Sequence, residues 1–328
     1  TLPLTLFPYT TLFRSNSFAF GRDAHANGTD SFAFGDGSRA TAFASNSSTF
    51  GTSATVNSPC SMAFGTNAEV FGASTNAFAA GTDSESTGFN AYAFGTASSS
   101  AGPNTTAFGA NSSAVGTNAY AFGSNAGAAG FNSTAFGADA DSIGVNAYAF
   151  GASSTTTNTN AYAFGTNSTA VGINSTAFGA NAIATSTNAT SVGSDSQAHN
   201  FNAYAFGSNS LATATNSTAF GAVAKAHGTN AYAMGASSFS VGTNSTAYGA
   251  SSFAANTNSY AFGSASTSVG VNSTAFGSQS NATATNAYAF GSDSLSVATN
   301  SYAFGSNSAA IGVNSSAFGA DSQSIGVN

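Results

Sequence analysis

Small and large apolar residues alternate in short stretches along most of the chain, and glycine and asparagine separate these stretches. From Asn90 onward this pattern repeats with a 14-residue period and no insertion, giving seventeen full copies that end at Val327. With Asn90 as position 1, position 1 is always Asn, position 6 is always Gly, and position 5 is Phe in fourteen copies. A short fixed period of this kind is typical of a solenoid, in which each copy packs only against its neighbours.

One copy has room for two short strands and two tight turns, which together make one flattened coil. We predict a first strand at positions 2–5, as in Ala91–Phe94, and a second strand at positions 9–12, as in Ser210–Thr213. The turns fall at positions 6–8 and at positions 13, 14 and 1. The predicted fold class is therefore all-β, a parallel β-solenoid of 14-residue coils.

Glycine and asparagine mark the predicted turns. Glycine is favoured where φ is positive, and asparagine tolerates the left-handed region while its side chain bonds the local backbone. Asparagines stacked in register from coil to coil also predict an amide ladder along the solenoid axis. The turn residues predicted in three representative coils are Asn174, Gly179, Asn202, Gly207, Asn216 and Gly221.

The side chains at each position predict which face of a strand is buried. Position 10 carries residues as different as Asp141, Lys225 and Phe253, so it faces solvent. Positions 9 and 11, which carry small residues, then face inward, because successive side chains of a strand alternate. Packed sheets lie about 10 Å apart, and small residues do not fill such a gap. We therefore expect Phe at position 5 to complete the interior, with positions 2 and 4 facing outward.

The opposite arrangement, with Phe at position 5 and Tyr or Thr at position 3 facing outward, stays open at this stage. It would expose a longer apolar stripe than monomeric proteins show, and would place the rings in a seam between chains. No charged residue occurs at positions 2–5 in any of the seventeen copies, which favours burial by self-association in either arrangement. The residues expected to pack in this way are Phe178, Phe206, Phe220 and Tyr204.

The chain before Asn90 divides into two parts. Residues 1–15 share nothing with the repeat and resemble the translation of a sequencing adapter, so we expect a non-native segment there. Residues 16–89 carry looser versions of the same motif, and two of the gaps between motif-ending glycines have a longer, 16-residue spacing, from Gly35 to Gly51 and from Gly65 to Gly81. We expect irregular coils at residues 16–89 and regular ones at residues 90–328.

The amino-acid composition limits the range of binding partners. Only 5% of residues are charged and the net charge is −7, which disfavours nucleic acid because phosphate binding needs a basic footprint. Yet 42% of residues are hydrophobic, so the chain has enough apolar surface to fold. Cys60 is the sole cysteine and no apolar run is long enough to span a membrane as a helix, so we predict neither a disulfide framework nor membrane insertion.

Candidate chemistry along the chain is sparse. His199 and His227 share position 12 but lie two coils apart, beyond the reach of one metal ion. Asp139 and Asp141 are the one dense acidic pair of the regular array, and position 8, where Asp139 lies, also accepts Asn and Ser as turn residues. We therefore predict no catalytic, cofactor-binding or metal-binding residues, and a protein that is not an enzyme.

Two stretches of the repeat, Asn174–Ala182 and Asn202–Ser210, resemble the head repeat of trimeric autotransporter adhesins, the YadA-like head. That repeat reads Asn-Ser-Val-Ala-Ile-Gly on a 14-residue period, and its Asn, Ala and Gly match at Asn174, Ala177 and Gly179. The chain departs from it by Tyr or Thr in place of Val and Phe in place of Ile. The resemblance covers residues 16–328.

The resemblance implies a left-handed parallel β-roll, three chains packed side by side, and display at the surface of a Gram-negative cell through an anchor outside this segment. It implies attachment to matrix proteins or other surfaces, with the ligand unspecified. Two alternatives remain: a phage or virion fibre, and an ice-binding solenoid. The second is suggested by the threonine pairs Thr157/Thr159, Thr185/Thr187, Thr213/Thr215 and Thr283/Thr285.

Coils of equal length also predict the dimensions of the array. Strands that stack about 4.8 Å apart over roughly 22 coils would form a straight rod spanning on the order of 100 Å.

Overall fold

The computed structural model describes residues 16–72 and 74–326, so the segment expected to be non-native, residues 1–15, lies outside the described residues. Within those two ranges the only regular elements are short strands, and no helix occurs. The chain divides into two compact units between Ser153 and Ser154. Each coil contributes a first strand of three residues and a second strand of two, which confirms the all-β class.

The first unit contains ten first strands and nine second strands. Its first strands are Phe18–Phe20, Phe32–Phe34, Ser48–Phe50, Met62–Phe64, Phe78–Ala80, Tyr92–Phe94, Thr106–Phe108, Tyr120–Phe122, Thr134–Phe136 and Tyr148–Phe150. Its second strands are His25–Ala26, Arg39–Ala40, Thr55–Val56, Glu69–Val70, Glu85–Ser86, Ser99–Ser100, Ser113–Ala114, Gly127–Ala128 and Asp141–Ser142.

The second unit contains twelve first strands and thirteen second strands. Its first strands are Tyr162–Phe164, Thr176–Phe178, Thr190–Val192, Tyr204–Phe206, Thr218–Phe220, Tyr232–Met234, Thr246–Tyr248, Tyr260–Phe262, Thr274–Phe276, Tyr288–Phe290, Tyr302–Phe304 and Ser316–Phe318. Its second strands are Thr155–Thr156, Thr169–Ala170, Ile183–Ala184, Gln197–Ala198, Leu211–Ala212, Lys225–Ala226, Phe239–Ser240, Phe253–Ala254, Thr267–Ser268, Asn281–Ala282, Leu295–Ser296, Ala309–Ala310 and Gln323–Ser324.

Within each unit, every strand pairs in parallel with the equivalent strand of the next coil. In the regular array the partner occupies the same repeat position one coil further on, as where Tyr204 pairs with Thr218. In the irregular part Phe32 pairs with Ser48 and Met62 with Phe78 across the longer spacing, without loss of register. The two extra residues therefore enter a turn and leave the parallel sheets intact, and the chain is a parallel β-solenoid of about 22 coils.

The interior of each coil holds small side chains at positions 2, 4, 9 and 11. In one coil of the second unit these are Ala203, Ala205, Ser210 and Ala212, none of which is more than 1% exposed. The inward orientation of positions 9 and 11 is thus confirmed, and position 10 lies on the outer side. The strands are shorter than predicted, at positions 3–5 and 10–11, and positions 2, 9 and 12 lie between the strands and the turns.

The expectation that Phe at position 5 fills the interior, with positions 2 and 4 facing outward, is wrong. Phe178 and Phe220 are 56% and 55% exposed, whereas Ala177 and Ala219 at the centres of the same strands are buried. The error lies in the assumed distance between sheets. Strands of two and three residues joined by tight turns enclose a narrow coil, and Ala and Ser from both sheets are large enough to fill it.

Hydrogen bonds satisfy most polar side chains of this thin core; among the described residues, the buried hydroxyls of Ser38, Ser210, Ser259 and Ser315 are the exceptions. Serine at position 9 donates from Oγ to the carbonyl of the glycine three residues earlier, as Ser98 does to Gly95 at 3.0 Å. Serine at position 11 reaches the next coil, where the hydroxyls of Ser268 and Ser273 lie 2.6 Å apart. Such pairing matters because an unsatisfied buried hydroxyl costs about 1–3 kcal/mol. Serine therefore substitutes for alanine in the interior.

Both turns depend on positive φ. The glycine at position 6 has φ near +130°, for instance +133° at Gly179, +125° at Gly207 and +134° at Gly221. The asparagine at position 1 lies in the left-handed region, with φ of 55° at Asn174 and 52° at Asn202. These are backbone conformations that glycine and asparagine adopt at least cost.

The predicted amide ladder is present in both units. From Asn90 to Asn132 and from Asn160 to Asn300, each position-1 asparagine donates from Nδ2 to Oδ1 of the asparagine one coil further on, as Asn202 does to Asn216 at 3.1 Å. Along the first unit this chain of side chains begins at Asn76, and along the second it begins at Asn160. Between its two ends, each ladder therefore uses the donor and the acceptor of every amide on neighbouring coils, and the ladder fixes the register of the stack.

Candidate interaction surfaces

The most exposed apolar feature of the molecule is a column of aromatic rings on the outer side of the first strands. We call positions 3 and 5 of the first strands the aromatic face. Rings at position 5 of successive coils lie against each other, with centroids 6.1 Å apart for Phe206 and Phe220 and 4.9 Å apart for Phe290 and Phe304. Because the rings are stacked in register, the aromatic face runs through each unit as an apolar surface.

Tyr and Thr at position 3 set how much of each phenylalanine is accessible. In coils with Tyr the neighbouring ring is partly covered, and Phe206 beside Tyr204 is half-buried. In coils with Thr the ring is open, and Phe220 beside Thr218 is 55% exposed. Tyr204 itself is 37% exposed. The predicted packing residues Phe178, Phe206, Phe220 and Tyr204 therefore all lie on the outer surface.

A surface of this kind is unusual for a chain that stays single in solution. Monomeric proteins rarely expose a contiguous apolar patch larger than a few hundred Å². Here the rings recur in coil after coil, and no charged residue interrupts positions 2–5 in the regular array. The aromatic face thus has the composition of an interface.

The turn at positions 6–8 carries a second left-handed residue at position 8, a position predicted to lie in the turn, and this residue supports a ladder that the sequence did not predict. Position 8 has φ of 55° at Asn111 and 56° at Asp139. Where Asn and Asp follow each other, a short ladder forms: Asn111 donates to Asn125 at 3.2 Å and Asn125 donates to Asp139 at 3.0 Å. The signal that could have revealed it is the preference of Asn and Asp for position 8.

Val223 breaks the chemistry of this turn, because a β-branched residue occupies position 8 with φ of 60°. The left-handed region costs an ordinary residue about 1–2 kcal/mol. We expect Val223→Asn to stabilise the second unit by about 1 kcal/mol, measured as the change in the urea denaturation midpoint. Ser237→Asn at the same position of the next coil is the control and should gain less. Equal effects of the two substitutions would contradict the assignment of strain to Val223.

The histidines do not converge on a site. His199 hydrogen-bonds through Nε2 with Gln197 at 2.9 Å, and His227 Nδ1 lies 2.7 Å from the Thr213 hydroxyl. Burial and the neighbouring Lys225 lower the pKa of His227. Across residues 16–72 and 74–326, no group of three or more His, Cys, Asp or Glu side chains is placed to hold a metal ion.

The acidic residues have separate environments. Asp139 lies in a turn and accepts the amide of Asn125, while Asp141 lies on the second strand, where partial burial raises the pKa of its carboxyl. Partial burial, followed by repulsion from Glu85 and Asp83, raises the pKa of Glu69. Glu69 and Glu85 are direct partners on adjacent second strands. Asp139, Asp141, Glu69 and Glu85 are thus placed as surface and turn residues usually are.

The chain is a repeat solenoid whose exposed side chains are spread over long faces. This arrangement is typical of the class of structural and interaction proteins. No helix among the described residues is long and apolar enough to cross a membrane. Comparison with known families matches the YadA head domain repeat (2 copies) at residues 15–38, 86–112, 114–140, 142–172, 157–182, 170–196, 198–224, 226–252, 254–280, 268–294 and 296–322. The chain belongs to this family, and is therefore an adhesin-type surface segment. A search of curated proteins found no match.

Proposed function

We propose that the chain is the head segment of a homotrimeric adhesin, displayed outside a Gram-negative cell and attaching it to host or environmental surfaces. Membership of the YadA head family supports the class of protein and the number three. The observation on this chain that carries the proposal is the exposed aromatic face. Three copies packed around an axis parallel to the solenoid would cover that face and leave the second strands free.

Interface size favours a permanent assembly. A standard protein complex buries roughly 1,600 Å². Rings of the aromatic face contribute in every coil except the one with strand Thr190–Val192, so even a modest buried area per coil would exceed this value when added along one unit. An obligate trimer, with aromatic side chains in the seam and the second strands outward, follows from this repetition.

The ice-binding alternative is disfavoured by the contacts of its threonines. Such a surface would need a regular array of hydroxyls free to order water. The Thr157 hydroxyl instead donates to the Val171 carbonyl at 3.2 Å, and the Thr185 hydroxyl donates to the His199 carbonyl at 3.1 Å. The Thr213 hydroxyl lies against His227. Nothing in the coil itself distinguishes an adhesin from a phage fibre, for which the same trimeric assembly would serve.

The proposal is tested by mass and by attachment. Light scattering of the full chain in dilute buffer should give three times the monomer mass of 31.9 kDa. Beads coated with the chain should adhere to matrix-coated or bare surfaces more than beads coated with albumin. A soluble monomer with its strand content intact would overturn the trimer, and coated beads that adhere no better than the albumin control would overturn the attachment role.

A further inference from the structure

One region of the second strands departs from the rest of the repeat. In the regular array, eleven copies lie outside this region, and seven of them carry Ser, Thr, Gly or Ala at position 10; the other four carry Asp141, Asn281, Leu295 and Gln323. Six consecutive coils of the second unit instead carry a large or long side chain, and the residues are Ile183, Gln197, Leu211, Lys225, Phe239 and Phe253. In an array that otherwise repeats, a local run of this kind indicates a local role.

Three of these side chains, Gln197, Leu211 and Lys225, line an open depression on the outer side of the second strands. Position 8 of the same three coils also contributes to its lining, and carries Asp195, Asn209 and Val223. Carboxylate, amide and ammonium groups and an aliphatic side chain therefore all line this depression. Next to it, the rings of Phe239 and Phe253 stack with centroids 5.5 Å apart.

A buried hydroxyl beside the depression lacks a partner. Ser210, which also lines the depression, is 1% exposed, and its Oγ makes no hydrogen bond. The equivalent serines of neighbouring coils donate to the glycine carbonyl three residues earlier, as Ser196 and Ser238 do at 2.8 Å. The coil that carries the depression thus departs from its neighbours inside as well as outside.

The depression also holds the one cation of its unit. No Lys or Arg other than Lys225 follows Arg39 in the sequence, and the net charge of the chain is −7. Among the described residues the ion pair found is Arg22 with Asp36, so Lys225 has no carboxylate at ion-pair distance. This exposed ammonium group is therefore available to pair with one anionic group of a ligand.

We propose that this depression binds a hexuronate residue of an acidic polysaccharide. Lys225 would pair with the single carboxylate of the sugar. The Gln197 Oε1 faces His199 and the Asn209 Nδ2 donates to Ser208, so Gln197 offers its amide N–H groups as donors and Asn209 offers its amide oxygen as an acceptor. With the accepting carboxylate of Asp195, these groups match the hydroxyl groups of a sugar ring. Leu211 would lie against the C–H face of the ring, as apolar walls do in small-molecule sites.

An acidic peptide fits the same walls less well. Asp195 repels further carboxylates, so a ligand with several of them in succession would place one against it. A hexuronate carries one carboxylate and several hydroxyl donors, and so satisfies Lys225 and Asp195 together. The site lies on the sheet opposite the aromatic face, so assembly through that face would leave it open.

The inference rests on the proposed function, because it names the ligand class of an attachment protein. The test is binding of polygalacturonate to the full chain, measured by titration calorimetry, with neutral dextran and polyglutamate as comparison ligands. We expect binding to polygalacturonate above both. Lys225→Gln should weaken it by about tenfold or more, because it removes a charged hydrogen bond. Leu211→Ser should weaken it several-fold without changing charge.

A relocated cation supplies the matched control. Thr267 occupies the same repeat position three coils further on, outside the run of long side chains. Adding Thr267→Lys to Lys225→Gln restores the net charge and should not restore binding. Rescue by this double variant, equal binding of polyglutamate, or no binding of polygalacturonate would each overturn the inference. A trimeric, adhesive chain that fails to bind polygalacturonate contradicts the ligand class alone, and a monomeric chain that binds it contradicts the assembly alone.

Discussion

Gly207→Val should destabilise the second unit by about 3 kcal/mol or more, which is at the high end for a single substitution. Two effects add. The φ of +125° at Gly207 is a conformation that a β-branched side chain does not adopt without strain. A Cβ there would also lie 2.5 Å from the carbonyl oxygen and 2.6 Å from the carbonyl carbon of Gly221, which are backbone atoms of the next coil. The stack would have to open at this turn.

The measurement is urea denaturation followed by circular dichroism, with Lys225→Ala as the control. Lys225 lies at an exposed position 10, and its substitution should change the free energy of unfolding by less than about 0.5 kcal/mol. If the two variants unfold at the same urea concentration, the tight approach of glycines on successive coils is not a feature of the protein in solution.

A triple substitution of open rings, Phe178→Ser with Phe220→Ser and Phe276→Ser, should convert the trimer into folded monomers. Each of these rings is at least 54% exposed in the single chain, so its removal takes little from the interior of its own coil. In the assembly each buried phenylalanine contributes about 1.5–3 kcal/mol, and three copies of three rings contribute many times that. Light scattering should report the monomer mass while circular dichroism keeps its strand signal.

The opposite sheet offers a matched control of the same residue type. Phe239→Ser with Phe253→Ser removes two rings from position 10, on the outer side of the second strands. This double variant should remain trimeric, because the proposed seam does not include that face. A trimer that survives the loss of Phe178, Phe220 and Phe276 but dissociates with the control pair would place the seam on the second strands.

The sequence predicted the features that depend on the backbone and on periodicity. The coil length, the two strands, the Gly turn and the asparagine ladder all follow from residues that recur at one position, such as Asn202 and Gly207. The side chains that fill the interior could not be predicted in the same way. Ala205 and Phe206 alternate along one strand, and periodicity shows that they face opposite sides without showing which side is inside.

The width of the coil decides which side chains fill the interior. That width depends on how tightly the two turns close. An assumed separation of packed sheets placed Phe206 inside, and the short strands place Ala205 there instead. The depression near Lys225 was likewise not predicted. It arises from side chains of successive repeats that become neighbours only once the coils are stacked.

The asparagine ladder has a consequence for how the gene can change. Because every coil meets its neighbours through the same amide, glycine and alanine contacts, removing or duplicating one whole coil joins surfaces that already fit. An exchange between repeats that gains or loses fourteen codons would therefore leave a folded protein, whereas a gain of seven would set a first strand on a second strand. Recombination can therefore change the length of the solenoid without creating a new type of contact between coils.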